Sequence, residues 1–431
     1  MNAQKFNPGL LEFISSSPTP FHAVAGMVAM LESAGFARLQ ERDDWKLAAG
    51  RYYVCRNDSS LIAFQIPEGG LSQAAMALVG AHTDSPCLKV KPNPVVNKQG
   101  YFQLGVEVYG GALLNPWFDR DLSLAGRVSY QSGNGVIESA LIDFKKAIAV
   151  IPSLAIHLDR EANKKRSINS QVDIVPVLFQ AGGDKDKQVD FKSILAAQLK
   201  TQQAGADIQA ESILSYELYF YDTQQPAFTG LHEDFISAAR LDNLLSCHVG
   251  LRALLDAKGD TARLLVCNDH EEVGSTSACG AQGPFLKSVL QRLTGDPQQL
   301  AQLLDRSLMI SCDNAHAIHP NFSDRHDGNH GPRLNQGPVI KTNANQRYAT
   351  SSETAAAFKQ FCQQAGVPHQ EFVTRSDMAC GSTIGPLTAA EIGVKTVDVG
   401  VPQFAMHSIR ETCGSKDPYY LYQVLKQFYS G

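Results

Sequence analysis

The sequence predicts an α/β fold: a discontinuous domain whose mixed sheet is layered by helices, interrupted by a β-rich insert. Three observations carry this. From Gly230 onward, short apolar runs suited to strands alternate with longer stretches of helical periodicity. From about Pro92 to Thr229 that alternation gives way to period-two patterning and turn signals. The strand pattern near Val79 has no α/β partners around it, so residues 1–92 and 230–431 are expected to form one domain and 93–229 the insert.

Taken in order, residues 9–36 read as helical, broken at Pro18 and Pro20 and closed by Gly35. Leu61-Ile62-Ala63-Phe64 and Met76-Ala77-Leu78-Val79 read as strands, the second buried on both faces. In the insert, 101–109 alternates apolar and polar, and 122–130 and 136–144 flank the hairpin signal Ser132-Gly133-Asn134-Gly135. Residues 171–179 and 215–221 follow as strands, with a helix over 190–201 and an exposed loop over 182–188. Then come a helix (237–258), a strand (263–267), two helices (285–293 and 297–306) and a strand (308–311). A helix over 352–366, a strand over 394–401 and a closing helix over 416–429 complete the pattern.

At 431 residues the chain is too long for one compact core, which favours two domains. Its 44% hydrophobic and 19% charged residues are a globular balance. A net charge of −5, with no basic run longer than Lys164-Lys165-Arg166, gives no field for nucleic acid or an anionic membrane. The first residues carry no apolar leader region, and no stretch approaches the ~20 apolar residues that span a bilayer, so a cytoplasmic protein is expected. Nine cysteines without a C-x-x-C pair fit reduced thiols, and leave any metal to His, Asp and Glu.

Metal-capable residues collect where strands end. Met76 to Ala81 runs into His82-Thr83-Asp84, and Leu264 to Cys267 into Asn268-Asp269-His270-Glu271-Glu272. Leu308 to Cys312 runs into Asp313, the 394–401 strand leads to Met406-His407-Ser408, and Arg240-Leu241-Asp242-Asn243 opens a helix. Open α/β sheets bind ligands outside the carboxyl ends of their strands. Two zinc ions about 3.5–4 Å apart need a shared ligand, and a carboxylate can bridge them. Asp242 is the candidate bridge, with His82 and Asp313 completing one ion and Glu272 and His407 the other. Asp84 is placed to orient the His82 ring. Glu271, beside a ligand, is the candidate general base, provided a turn brings both carboxylates of the pair to one side.

These stretches, together with Asp313-Asn314-Ala315-His316-Ala317, His319-Pro320-Asn321 and the run from Lys341 to Tyr348, resemble the aspartyl aminopeptidase family of metallopeptidases, in the family's order from residue 81 to 408. The resemblance implies two zinc ions per subunit, held by His82, Asp242, Glu272, Asp313 and His407, with Glu271 as base. Cobalt or manganese could substitute. It implies removal of N-terminal Asp or Glu from peptides, a dimerisation role for the insert, and a homo-oligomer, a dodecamer built from dimers. It also assigns Lys341, and with it Tyr348, to the substrate's acidic side chain. His157 is the histidine that reaches from the insert toward a neighbouring subunit's site; by pattern alone it reads as a half-buried strand residue. Other readings stay open: the same scaffold serves neutral aminopeptidases, carboxypeptidases and deacylases, or a non-catalytic metal-bearing assembly protein. A cysteine hydrolase built on Cys279 or Cys380 lacks a base at fixed spacing.

Overall fold

The computed structural model describes residues 2–181, 189–202 and 208–431, so the loop expected over 182–188 lies outside the described residues. The chain divides into two compact units. Met1–Ser85, Pro226–Met406 and Glu411–Gly431 form the first, Pro86–Gln225 and His407–Arg410 the second.

The first unit opens with helices α1 (Ala3–Ser16) and α2 (Pro20–Ser33). The Thr19 hydroxyl accepts from the His22 amide while Pro20 presets the first helical turn, so the proline break is a change of helix. Strands β1 (Ala37–Arg38), β2 (Gly50–Arg56), β3 (Ser60–Ile66) and β4 (Met76–His82) follow. The second unit carries β5 (Cys87–Lys98), β6 (Tyr101–Tyr109), β7 (Leu122–Gln131), β8 (Ile137–Asp143), β9 (Val177–Gln180), α3 (Phe191–Gln202) and β10 (Ile213–Asp222).

The chain returns to the first unit with β11 (Ala227–Thr229), β12 (Phe235–Ala238), α4 (Leu241–Asp256), β13 (Ala262–Asn268), α5 (Phe285–Thr294) and α6 (Pro297–Arg306). It continues with β14 (Leu308–Cys312), β15 (Ala315–His316), β16 (Val339–Thr342), α7 (Ser352–Ala365) and β17 (Gln370–Val373). It ends with α8 (Ile384–Ile392), β18 (Lys395–Gly400), β19 (Pro402–Phe404), β20 (Glu411–Gly414) and α9 (Asp417–Ser430).

Among the described residues, the first unit holds a nine-stranded sheet ordered β1-β2-β3-β13-β4-β14-β18-β16-β17 and a five-stranded sheet ordered β11-β12-β20-β19-β15. The larger sheet is mixed. Strands β13, β4, β14 and β18 run parallel, while β3 and β16 flank them antiparallel. Helices α1, α2, α4, α7 and α9 bury one face through residues such as Leu10, Met27, Leu245 and Leu425. Helices α5 and α6 cover the other through Phe285, Val289 and Leu303. Both faces are therefore dry, and β4 and β13 read as near-continuous apolar runs, as parallel strands between helix layers must.

The second unit is a six-stranded sheet ordered β8-β7-β10-β5-β6-β9, with α3 packing Phe191, Leu195 and Leu199 into its core. Its β7–β8 hairpin turns where the sequence expects it: the Ser132 amide donates to the Val136 carbonyl at 2.9 Å, and Gly135 takes a left-handed φ of +80°. Two expectations are corrected. The helix over 237–258 is instead strand β12 followed by α4, because Ser237 and Ala238 pair with Thr412 and Glu411 of β20. Of 171–179 only the last residues are strand; Val172 and Asp173 instead donate to the Asn169 carbonyl and close a turn. No helix among the described residues is long and apolar enough to cross a membrane.

Candidate metal centre

The parallel strands set the site. In register, His82 at the end of β4 lies beside Asn268 at the end of β13, and Ser311 of β14 lies beside Gly80. The chain leaving each carboxyl end therefore delivers His82, the Glu271–Glu272 pair and Asp313 to one rim of one sheet. A fourth contribution comes from the start of α4. There Arg240 adopts a left-handed φ of 59° and Asp242 is not helical (φ −85°, ψ 104°), so its carboxylate is turned off the helix axis. Its backbone is held from both sides: its amide donates to Glu411 Oε2 at 2.9 Å and its carbonyl accepts from Ser85 Oγ at 2.6 Å. Asn243 accepts from the His82 amide at 3.3 Å, tying α4 to the end of β4.

The buried imidazole of His82 has two distinct edges. Nδ1 lies 3.1 Å from the Asp84 carbonyl and 3.4 Å from Asp84 Oδ1. Two oxygens there demand a proton on Nδ1, which leaves the lone pair on Nε2. That Nε2 faces Asp242 Oδ1 at 3.4 Å and Asp313 Oδ1 at 3.8 Å. A lone pair facing two carboxylate oxygens in a dry pocket is repulsive unless a proton or a metal ion lies among them. Burial by itself lowers the His82 pKa, but Asp242, Asp313 and Asp84 overcome it and hold the ring well above its ordinary value.

The acidic pair turns as it must. His270 adopts φ 66°, and Glu271–Val273 forms a 3-10 turn that brings both carboxylates to one side. What holds the turn is Asp84: its Oδ1 accepts from the Glu271 amide and its Oδ2 from the Glu272 amide, each at 3.1 Å. Burial pushes the Glu271 carboxyl up to about 8, with Asp313, Asp84 and Asp242 adding to the rise and His82 opposing it. Burial, then Asp242, push Glu272 well above the carboxylate range. Burial and Asp84 likewise push Asp269 up to about 6. Metal-capable atoms of His82, Asp242 and Asp313 lie within 4.8 Å of one another, as do those of His82, Glu271 and Glu272. This crowding of acids around one imidazole is what a divalent cation relieves, so the donor set fits a metal bound through nitrogen and carboxylate oxygen.

Lys341 and Tyr348 border that cluster. Lys341, on β16, is 2% exposed. Its ammonium stands 3.5 Å from Asp313 Oδ2, 3.3 Å from the Asn314 carbonyl and 5.1 Å from the centre of the Tyr348 ring. Tyr348 is buried and lines a cavity of about 310 Å³ with His316, His319, Arg375, Cys380 and Phe404. His407 belongs to the second unit, with a left-handed φ of 68° and its Nδ1 3.2 Å from the Gly111 carbonyl. His157 lies in an exposed turn of the second unit, not in a half-buried strand, because no ladder reaches residues 152–171. Sequence reasoning missed Glu411 and the amide-holding role of Asp84. A carboxylate that grips backbone leaves no spacing signal; only the 1% exposure of Glu411 marks it as partnered.

A family model described as Aminopeptidase I zinc metalloprotease (M18) matches residues 13–429. "Probable M18 family aminopeptidase 2" of Pseudomonas entomophila is 59% identical over 424 residues, 98% of this chain and 97% of that protein. The Azotobacter vinelandii protein of the same description is 58% identical over 427 residues, 99% of this chain and 98% of that protein. Among solved structures, that of the Ape4 and Nbr1 complex superposes with a TM-score of 0.96 at 38% identity, covering 99% of this chain and 86% of that one. Chaetomium thermophilum mApe1 gives 0.87 at 32%, covering 99% and 98%. The S. cerevisiae mApe1 dodecamer gives 0.83 at 28%, covering 99% and 95%. With a strand-end cluster fit for a metal and a family match across nearly its whole length, the chain belongs to the M18 family of aminopeptidases, which are zinc metalloproteases.

Proposed function

We propose that this enzyme removes N-terminal Asp or Glu from peptides using two zinc ions per subunit. His82 and Asp313 would hold one ion and Glu272 and His407 the other, with Asp242 as the ligand common to both. The observation that carries the reading is His82 Nε2 turned onto Asp242 and Asp313 at 3.4 and 3.8 Å, with a Glu272 oxygen within 4.8 Å of a nitrogen of the same ring. His407 enters on its place in the Met406-His407-Ser408 stretch. Zinc bound there supplies a Lewis acid that polarises the scissile carbonyl and acidifies water. Glu271 takes the proton of the attacking water on its carboxylate and passes it to the leaving amine. Asp84 keeps that carboxylate and the His82 ring in place.

Lys341 and Tyr348 border the space that the substrate's acidic side chain occupies. The Lys341 ammonium supplies the opposite charge, and the cavity beside Tyr348 gives the side chain room. A second reading has its own observation. Lys341 already faces Asp313 Oδ2 at 3.5 Å, and a cation so engaged would support that carboxylate and leave the pocket to neutral residues. Hydrolysis of Asp-, Glu- and Leu-aminoacyl substrates, with and without chelator, by wild type and Lys341→Ala decides between them. The first reading expects acidic selectivity that the variant loses. Equal rates on Leu substrates, or unaltered selectivity in the variant, favour the second.

The second unit serves dimerisation within a dodecamer built from dimers, with His157 reaching a neighbouring site. The dodecameric S. cerevisiae relative supports this. So do exposed Leu154, Ile156 and Leu158 around His157, at 59, 47 and 75% exposure, because a cluster of bare apolar side chains is an interface signature. Nine free thiols suit the reducing cytoplasm, where we place the enzyme. Cobalt or manganese could replace zinc in these sites.

A further inference from the structure

One fully buried carboxylate takes no part in the proposed reaction. Asp398, on β18, is 0% exposed. Burial pushes its carboxyl up, opposed chiefly by the Lys341 ammonium. A carboxylate sealed this far from water is costly unless donors surround it. Three do. Ser311 Oγ and Thr383 Oγ1 each donate to Oδ1 at 2.7 Å, and the Ala349 amide donates to Oδ2 at 2.6 Å. The backbone joins in, because the Asp398 amide donates to Thr350 Oγ1 at 2.9 Å.

The partners belong to segments with different duties. Ser311 is the ladder neighbour of Asp398 in β14 and so part of the sheet. Ala349 and Thr350 follow Tyr348 directly, and Thr383 follows closely on Cys380 and Gly381. Tyr348, Cys380 and Gly381 all line the 310 Å³ cavity. Residues 343–351 and 374–383 form no strand or helix, so no ladder fixes them. Asp398 clasps both segments to the sheet. Thr383 is the N-cap residue of α8, yet its hydroxyl makes no cap bond. Threonine at that position usually spends its hydroxyl on its own helix; here it goes to Asp398. Two residues on, a Cβ on Gly385 would overlap Asp398 Oδ1, so the first turn of α8 closes on the carboxylate only because glycine stands there.

We propose that Asp398 is a positioning residue for substrate selection: it clasps the segments bearing Tyr348 and Cys380-Gly381 to the sheet, and so fixes the wall against which the substrate's N-terminal side chain packs. The inference rests on the reading that this cavity receives that side chain. Loosening the wall removes binding that substrate and transition state share, so KM rises while kcat holds.

The sheet supplies an internal control. Ser311 and Thr383 donate to the same oxygen at the same distance, but only Thr383 leads to the wall. Steady-state kinetics of the zinc-loaded full chain on Asp-, Glu- and Leu-aminoacyl substrates tests this, with melting temperature and zinc content read on the same samples. On the substrate that the wild type favours, Thr383→Val should raise KM about fivefold or more, with kcat within about twofold and zinc content unchanged. Thr383→Ser, which restores the hydroxyl, should return KM to within about twofold of wild type. Ser311→Ala should lower the melting temperature about as much as Thr383→Val yet leave KM at the wild-type level. Asp398→Asn, whose amide cannot accept from all these donors, should raise KM at least as far, and decides the matter if Thr383→Val does not fold. An unchanged KM in folded Thr383→Val or Asp398→Asn overturns the proposal. So does an equal rise in Ser311→Ala, or no rescue by Thr383→Ser. A wild type that favours Leu sinks the acidic reading of the pocket and leaves this test standing, since KM is followed on whichever substrate is favoured.

Discussion

At the scale of single residues, the proposed function gives the two carboxylates of one turn different tasks, Glu271 as base and Glu272 as ligand. Glu271→Gln keeps the size and the amide bonded to Asp84 but cannot accept a proton. Turnover should fall about 10²–10⁴-fold while zinc content, read by metal analysis, stays at the wild-type level. Retained turnover would remove Glu271 from the base role. Asp84→Asn removes one acceptor from the pair of amides 3.1 Å away and weakens the hold on His82. It should lower both zinc affinity and turnover, the former about 10–100-fold by competition with a chelator. The gathering of His82, Asp242, Glu271, Glu272 and Asp313 was legible because each lies within five residues of the end of an apolar run or opens a helix. The double grip of Asp84 was not, since it depends on a turn that only the folded chain makes. Glu411 was hidden for the same reason, its partner being the Asp242 amide 169 positions away.

At the scale of elements, strand packing reaches directly into the centre. A Cβ on Gly400, at the end of β18, would stand 1.9 Å from the Asp313 carbonyl oxygen. Backbone cannot rotate away as a side chain can. Gly400→Ala should cost about 1–3 kcal/mol and shift Asp313, with a lower melting temperature and weaker zinc retention read on one sample. Helix α9 offers a pH test. Asp417 accepts from the Asn335 amide at 2.6 Å and from Gly337 at 2.9 Å, and burial pushes its carboxyl up to about 7. An unfolded aspartate titrates near 3.9. Between about 4 and 7 the folded chain therefore holds a proton that the unfolded chain has lost, and this group's contribution falls as pH rises through that window. Asp417→Asn should flatten the decline in melting temperature between pH 5 and 8. An unchanged slope would absolve the residue. Helices and buried strands were legible because their periodicity is local. Strand β12 was not, because its ladder partner β20 lies 176 residues further on. Nor was the turn at 169–173, where the Asp173 carboxylate accepts from the Asn169 amide and competes with strand pairing.

At the scale of the whole molecule, two compact units with separate cores give two sets of consequences. Placing Asp at both Leu154 and Leu158 leaves the core of the second unit untouched, since both side chains are exposed. If that surface pairs subunits, light scattering should show smaller species, and turnover should fall with assembly. A mass equal to wild type would remove this face from the interface. Such a role cannot be read from hydropathy, because a bare leucine in a loop and a buried one are written alike. Within the first unit, the Glu271–Glu272 turn is pinned by Asp84, which follows β4, and itself follows β13. The 310 Å³ cavity instead draws its lining from residues 316–326, 348, 372–381 and 403–406. On the proposed function, chemistry and taste are furnished by different segments of one scaffold. A designer could exchange the latter piece by piece, or a lineage could drift in diet, while the hydrolytic engine ran unaltered.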